Sequence, residues 1–326
     1  MKIRRGEIEG PLGHYLEDLA VRALLRLALA LPYETRVRMM GWLVSRVIAP
    51  LAGYDRRVRD NLAHVMPELP EAEVRRLMRA VADNAGRTLI EIYSGRDFIA
   101  RMKDVEFDGP GVAVLREARD TRRPVILLTG HFGNYDVPRA ALIADGYDVG
   151  SLYNPMRNRF FNAHYVAAIS KIGQPMFPRG RKGYAQLLKH LKSGGMIGFL
   201  VDVYMPSAPI LSFFGKPART ALSAAELALK YDALLVPIYG VRQPDGLSFR
   251  VQVEAPVPHG TPEEMTQALN DSLEAITRQH MEQWFWIHRR WKPERIAKAL
   301  AREAARAEAE AAELAAAEAE IDRDRG

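Results

Sequence analysis

PVILLTGHFGNYD, running from Pro124 to Asp136, decides how this chain reads. Val125, Ile126, Leu127 and Leu128 are an unbroken apolar run of strand formers, the pattern of a strand buried on both faces and needing cover on both. Gly130 and Gly133 put permissive backbone on either side of His131, and Asn134 is placed to cap a helix through Val137, Ala140, Ala141 and Leu142. The strand therefore empties into a turn that carries the histidine. On a regular helix, positions five apart stand about 140° out of line. A direct contact of His131 with Asp136 thus needs His131 ahead of the helix and Asp136 in its first turn, which the glycines permit. An imidazole held by a carboxylate through one nitrogen keeps the other free to take a proton from a hydroxyl. His131 and Asp136 are the candidate catalytic residues, and a satisfied polar pair without chemistry is the alternative the residues leave open.

Strand and helix signals alternate outward from this stretch. Asp148–Tyr153, Pro175–Phe177, Met196–Val201, Ala233–Tyr239 and Ser248–Val253 read as strands. Arg159–Ile172, Tyr184–Leu191, Ala221–Tyr231 and one long segment, Glu263–Arg290, read as helices. This is the alternation of an α/β domain with a mainly parallel central sheet flanked by helices, where active groups gather at strand ends. Residues 55–107 read as helical, broken at Pro67 and Pro70, with Pro70-Glu71-Ala72-Glu73 opening a new helix. The expected divisions are 1–60, amphipathic membrane-associating helices; 61–293, the α/β domain; and 294–326, a tail rich in Ala, Glu and Arg. That tail favours helix but has almost no large apolar side chain to bury, so a solvated or frayed helix is expected.

With 326 residues, 48% hydrophobic and 26% charged, the chain can bury a substantial core. It has no cysteine, which excludes disulfides, Cys-based zinc sites and thiol nucleophiles. Residues 1–59 hold eleven Lys and Arg against six Asp and Glu, within a net charge of +6. That basic end suits an anionic membrane or a nucleic acid. The pattern of residues favours the membrane. Leu12, Leu16, Leu19, Ala20, Ala23, Leu27 and Leu31 fall at helical spacing, with His14, Asp18, Arg22 and Arg26 as a polar stripe in which Asp18 can pair with Arg22. Val37–Leu51 mixes Met39, Trp42, Val47 and Ile48 with Arg38 and Arg46, as an interfacial helix does. No uncharged run reaches the roughly 18 residues of a spanning helix, and the start lacks the apolar core of a signal peptide, so a cytoplasmic catalytic part is expected. There is no G-x-S-x-G elbow, phosphate-binding G-x-x-x-x-G-K-[ST] loop or G-x-G-x-x-G turn, and no ligand set that would complete a metal site at His131; no metal and no cofactor are expected.

His131 to Asp136 also matches the His-x-x-x-x-Asp/Glu motif of the glycerolipid acyltransferase superfamily. Phe177-Pro178-Arg179-Gly180, Leu200-Val201-Asp202 and Leu235-Val236-Pro237-Ile238 follow in the order of that superfamily's further blocks. SFFGKPARTA (212–221) and EQWFWIHRRWKP (282–293) resemble the late acyltransferases of lipid A biosynthesis, the lauroyl and myristoyl transferase branch. The resemblance covers about residue 14 to Pro293. Asp202-Val203 stands where glycerol-phosphate acyltransferases carry Glu-Gly, which points away from that branch; HFGNYD is also similar to the mannosylated-phosphoinositide acyltransferases of bacteria.

The resemblance implies transfer of an acyl chain from acyl carrier protein to a hydroxyl of a phosphorylated glycolipid at the cytoplasmic face of a bacterial inner membrane. His131 would be general base and Asp136 would orient it. Arg179 would bind an anionic part of the acceptor, with Arg181 and Lys182 adding to the field, and Asp202, Asn154 and Arg157 are further candidates near the substrate. The alternatives are another lipid acceptor, a mannosylated phosphoinositide or lysophospholipid, or a peripheral lipid-binding protein without chemistry.

Overall fold

A computed structural model describes residues 12–302 together with 305, 308 and 309. The basic residues Lys2, Arg4 and Arg5, and most of the Ala-rich tail, lie outside the described residues. The described chain begins with helices α1 (Leu12–Leu29), α2 (Tyr33–Leu43), α3 (Ala49–Ala52), α4 (Tyr54–Val65), α5 (Glu71–Tyr93) and α6 (Arg96–Arg101). A π-helical turn, Val44–Ile48, joins α2 to α3, so the expected Val37–Leu51 helix is three pieces. Proline sets the start of α5 as expected: the helix begins directly after Pro70, with Glu71 and Glu73 at the positive end of its dipole.

The strands are β1 (Glu106–Asp108), β2 (Val125–Thr129), β3 (Val149–Tyr153), β4 (Met176–Pro178), β5 (Met196–Leu200), β6 (Ile210–Phe213), β7 (Lys216–Arg219), β8 (Leu234–Arg242) and β9 (Phe249–Val253). Between them lie α7 (Val112–Thr121), α8 (Val137–Ala144), α9 (Arg159–Ile172), α10 (Arg181–Lys192) and α11 (Ser223–Tyr231), and α12 (Pro262–Gln279) follows β9. Seven strands form a sheet in the order β1-β9-β8-β2-β5-β3-β4, parallel at every pairing except β8 with β9. The expected α/β architecture with a mostly parallel sheet is what the chain adopts.

The central position of β2 explains its uninterrupted apolar run. Val125 and Leu127 enter one core with Val37 and Met40 of α2 and Ala140 and Ala141 of α8. Ile126 and Leu128 enter another with Leu187 and Leu191 of α10, Ala225 of α11 and Leu269 of α12. Both faces are covered, as a strand with no polar alternation requires.

Three expectations change. β1 ends a region read as helical. β6 and β7 form a hairpin in a stretch read without strands, turning at Phe214 and Gly215, both at positive φ (55° and 66°). The long helix expected over Glu263–Arg290 ends at Gln279; the chain beyond it makes a 3-10 turn, Met281–Gln283, and then pairs with the His131 loop: Trp284 bridges Phe132, and the Phe285 N–H donates to the His131 carbonyl at 2.9 Å.

Gly133 is needed at its position. Its φ is +54°, and a β-carbon there would run into the Gly240 carbonyl oxygen on β8. Gly133→Ala is expected to lower stability by about 3 kcal/mol, the left-handed backbone and the clash together. Thermal denaturation reads this directly, and an unchanged midpoint would show that the loop does not press against β8.

Candidate active site

The sheet register brings the central pair together. β2 and β5 are parallel neighbours with Thr129 opposite Leu200, and the Val201 N–H continues the ladder to the Thr129 carbonyl at 3.1 Å. Two residues beyond each strand end stand His131 and Asp202, leaving strands about 4.8 Å apart at the same height. The His131 ring Nδ1 lies 2.8 Å from Asp202 Oδ1, and the backbone N–H of His131 donates to Oδ2 at 2.7 Å. The indole N–H of Trp284 donates to the same Oδ2 at 3.0 Å.

Asp202 is buried, at 1% exposure. Burial alone pushes its carboxyl up, but the charge of His131 and the hydrogen bonds from that residue outweigh it, with His288 adding to them, and hold the group well below the usual carboxylate range. Asp202 is therefore ionised and accepts only, which makes Nδ1 of His131 the donor; in the neutral ring the lone pair is then on Nε2. The ring borders a cavity of about 620 Å³ that also meets Asp136, Arg139, Asn154, Arg179 and His288.

Asp136 is turned to a different partner from the one its spacing suggests. It occupies the N-cap position of α8, and its carboxylate takes Arg139 Nε and Nη2 at 2.9 and 2.7 Å. Arg139 reaches on to the carbonyls of Ile169 and Gly173, tying the start of α8 to the end of α9. Asn134 makes an Asx turn onto the Asp136 N–H at 3.0 Å instead of capping the helix. The contact expected between His131 and Asp136 is made by Asp202, while Asp136 lies on the same cavity wall. Arg179 and Asn154 are exposed at that wall, whereas Arg157 and Arg181 are exposed and not among the residues bordering it.

Three contributors were not singled out from sequence in these roles. His288 stands edge-on to the His131 ring with centroids 4.4 Å apart, and its Nε2 is buried without a hydrogen bond. Its position in the motif EQWFWIHRRWKP was the available signal. Asn84 Nδ2 and Thr88 Oγ1 of α5 donate to the Gly133 carbonyl at 3.0 and 2.8 Å, and Gly133 N–H donates to the Gln283 carbonyl at 2.9 Å. Trp284, Trp286 and Trp291 of the same motif are core at 0%, 0% and 5% exposure, packed with Phe213 and Phe214. His131, Asp202 and His288 bring possible metal ligands within 4.8 Å of one another. Asp202 already receives three N–H donors there, so its oxygens are satisfied by hydrogen bonds within the chain.

An imidazole with one nitrogen held by a buried carboxylate, on a ring that borders a cavity at the C-terminal ends of two interior parallel strands, has the groups that proton removal requires. The comparisons place it more closely. Residues 12–293 match the model of the bacterial lipid A biosynthesis acyltransferase family, and the chain belongs to that family, which makes it an acyltransferase. It is 25% identical to the lipid A biosynthesis lauroyltransferase of Escherichia coli over 82% of this chain and 89% of that one. It is 22% identical to a lipid A biosynthesis acyltransferase of Haemophilus influenzae over 82% and 85%, and 22% identical to a phosphatidylinositol mannoside acyltransferase of Mycobacterium tuberculosis over 84% and 85%.

Burial, the charge of neighbouring His131 and Arg290 lower the His288 pKa from 6.5 to about 4, against the opposing pull of Asp202. The folded chain thus binds fewer protons than the unfolded one between these values, so the stability that neutral His288 contributes is present above pH 6.5 and is lost on acidification towards pH 4. Between pH 7 and 4.5 the wild type is expected to lose about 2 kcal/mol more than His288→Gln, which cannot titrate. Denaturant unfolding at both pH values measures it; parallel losses would mean that His288 is not held neutral.

Proposed function

We propose that the chain moves a fatty acyl group from acyl carrier protein to a hydroxyl of a phosphorylated glycolipid, a lipid A precursor, with His131 as general base. The observation that carries this reading is the Nδ1 contact of His131 with buried Asp202, which reserves Nε2 for accepting a proton, in a ring that borders the cavity. In the reaction the acceptor hydroxyl oxygen attacks the thioester carbonyl as its proton passes to Nε2. The tetrahedral adduct collapses to the ester, and the departing thiolate recovers that proton from the imidazolium. Asp202 fixes the tautomer and stabilises the charged ring, and no covalent enzyme intermediate is required. Asp136 shapes the wall through Arg139. Arg179 supplies a forked cation for the acceptor's phosphate. Asn154 is a further acceptor contact, and Arg157, Arg181 and Lys182 contribute to the field outside the cavity.

Access from a membrane surface is part of the proposal. α1 docks through a face that carries Asp18, Leu25 and Ala28: Asp18, 1% exposed, forms an ion pair with Arg22 at 2.7 Å and contacts His164 Nε2 at 2.9 Å. That orientation turns Leu12, Leu16, Leu19 and Leu27 outward at 74%, 54%, 45% and 72% exposure. No described helix is long and apolar enough to cross a membrane. An outward apolar face on a basic N-terminal region supports peripheral attachment to an anionic leaflet, at the cytoplasmic face of a bacterial inner membrane. A mannosylated phosphoinositide is the second acceptor to try, favoured by the similarity to the M. tuberculosis enzyme.

His131→Ala and Asp202→Asn are each expected to slow turnover by roughly two to four orders of magnitude, with the double variant little worse than His131→Ala alone, because the pair acts as a unit. Mass spectrometry of products from acyl carrier protein thioester with lipid A precursor, mannosylated phosphoinositide and lysophospholipid gives the readout. Near-full turnover of folded His131→Ala would end the mechanism, and product only from lysophospholipid would end the acceptor assignment.

Arg179→Ala is expected to raise the acceptor KM several-fold to about tenfold, an exposed cation losing part of its pull to solvent, while the donor KM changes little. Steady-state kinetics with and without the acceptor phosphate checks it. Equal weakening towards the phosphate-free acceptor would remove Arg179 from the phosphate.

A further inference from the structure

A second cavity, about 980 Å³, lies between the α2 to α3 run and α5, with the ends of β8 and β9 and residues 280–283 completing it; it shares no residue with the catalytic cavity. Its wall is dominated by arginine. Most of these cations are already matched: Arg242 by Glu91, Arg87 by Asp83, Arg76 by Glu73 and Glu282, and Arg250 by Asp108. Arg46 and Arg79 have no ion pair among the described residues, and Arg75 has only a 3.6 Å contact with Glu71; the attraction of Arg79 to Asp55 is a longer-range one. Arg75 and Arg79 are one helical turn apart on α5, with Arg46 across the cavity from them on the π-helical turn. Arg250 Nε is buried beside them without a hydrogen-bond partner.

The rim identifies the kind of anion. Trp42 lines the cavity at 58% exposure, and Val47 and Leu51 stand out from the same helical run at 39% and 84%. Indole and aliphatic side chains exposed beside free guanidinium groups are the surroundings of a headgroup whose tails enter the apolar side of a leaflet. An acidic protein would present many carboxylates to a broad surface, whereas here the unpaired charge is concentrated in one recess. We propose that this cavity binds the phosphate of an anionic phospholipid headgroup through Arg46, Arg75 and Arg79, with Trp42 at the level of the glycerol. The site needs no chemistry from His131, and its failure would leave acyl transfer untouched.

The test is titration of the full chain with dihexanoyl phosphatidylglycerol, kept monomeric below its micelle concentration, following Trp fluorescence. Trp42 dominates the solvent-sensitive part of that signal, since the other tryptophans are buried. Binding should protect Trp42 from iodide quenching. Arg46→Gln with Arg79→Gln should weaken it roughly tenfold or more, while Arg116→Gln with Arg123→Gln, the same charge loss on and just beyond α7, should leave it unchanged. If the first double variant fails to fold, Arg46→Gln alone carries the test, its side chain being exposed and unpaired. Equal affinity in all variants overturns the proposal. So does inorganic phosphate binding as tightly as the lipid, or loss of affinity for acyl carrier protein without loss of affinity for the lipid.

Discussion

The carboxylate of Asp202 ties together three parts of the chain: the end of β5, the His131 turn and the segment that follows α12. One oxygen holds the imidazole of His131, and the other takes the backbone N–H of the same residue and the indole N–H of Trp284. A buried negative charge without such donors would cost several kcal/mol. The donors are therefore as necessary to Asp202 as it is to them. The His131 loop is held at its start, Trp284 is pinned among the aromatic side chains of its cluster, and the chain beyond α12 is kept from continuing that helix.

A second buried polar system holds the rest of that loop from behind. Asn84, Thr88 and Glu91 lie on one face of α5, and Arg242 at the end of β8 meets all three. Asn84 and Thr88 pass the contact on to the Gly133 carbonyl, and Glu91 passes it to Asn134 at 2.9 Å. Removing one member would strand the others away from water, a loss of about 3 to 5 kcal/mol for a buried ion pair. The helices before the sheet thus share in the site's geometry: α5 is the wall against which the histidine turn is set.

Much of this was legible in the chain because the local signals agree with the fold. β2, β5 and β8 are apolar runs in a sheet covered on both sides, and α9 and α11 carry ordinary helical periodicity. The β6 to β7 hairpin escaped because its turn, Phe214-Gly215, puts an aromatic residue at positive φ, where glycine or asparagine is the usual sign. The residues after Gln279 are apolar enough to continue the helix, and it is contacts with the His131 loop, far away in sequence, that engage them instead. α1 was read with its leucine stripe as the significant face, yet which face docks was decided by Asp18 finding His164 on α9, a partner far away in sequence. The same limit applies at the site. His131 and Asp136 are close along the chain, and nothing local reveals that β5 lies beside β2.

That adjacency makes the alignment of His131 with Asp202 a matter of length. Each residue is counted off from the end of a paired strand by the same short lead, although 71 positions of chain separate them. The intervening excursion through β3, α9, β4 and α10 can grow or shrink by whole loops without parting them. One residue inserted between Thr129 and His131, or between Leu200 and Asp202, would swing that side chain towards the opposite face of the sheet. These two short leads are the lengths on which the pair depends, whereas the loops of the excursion between them are not.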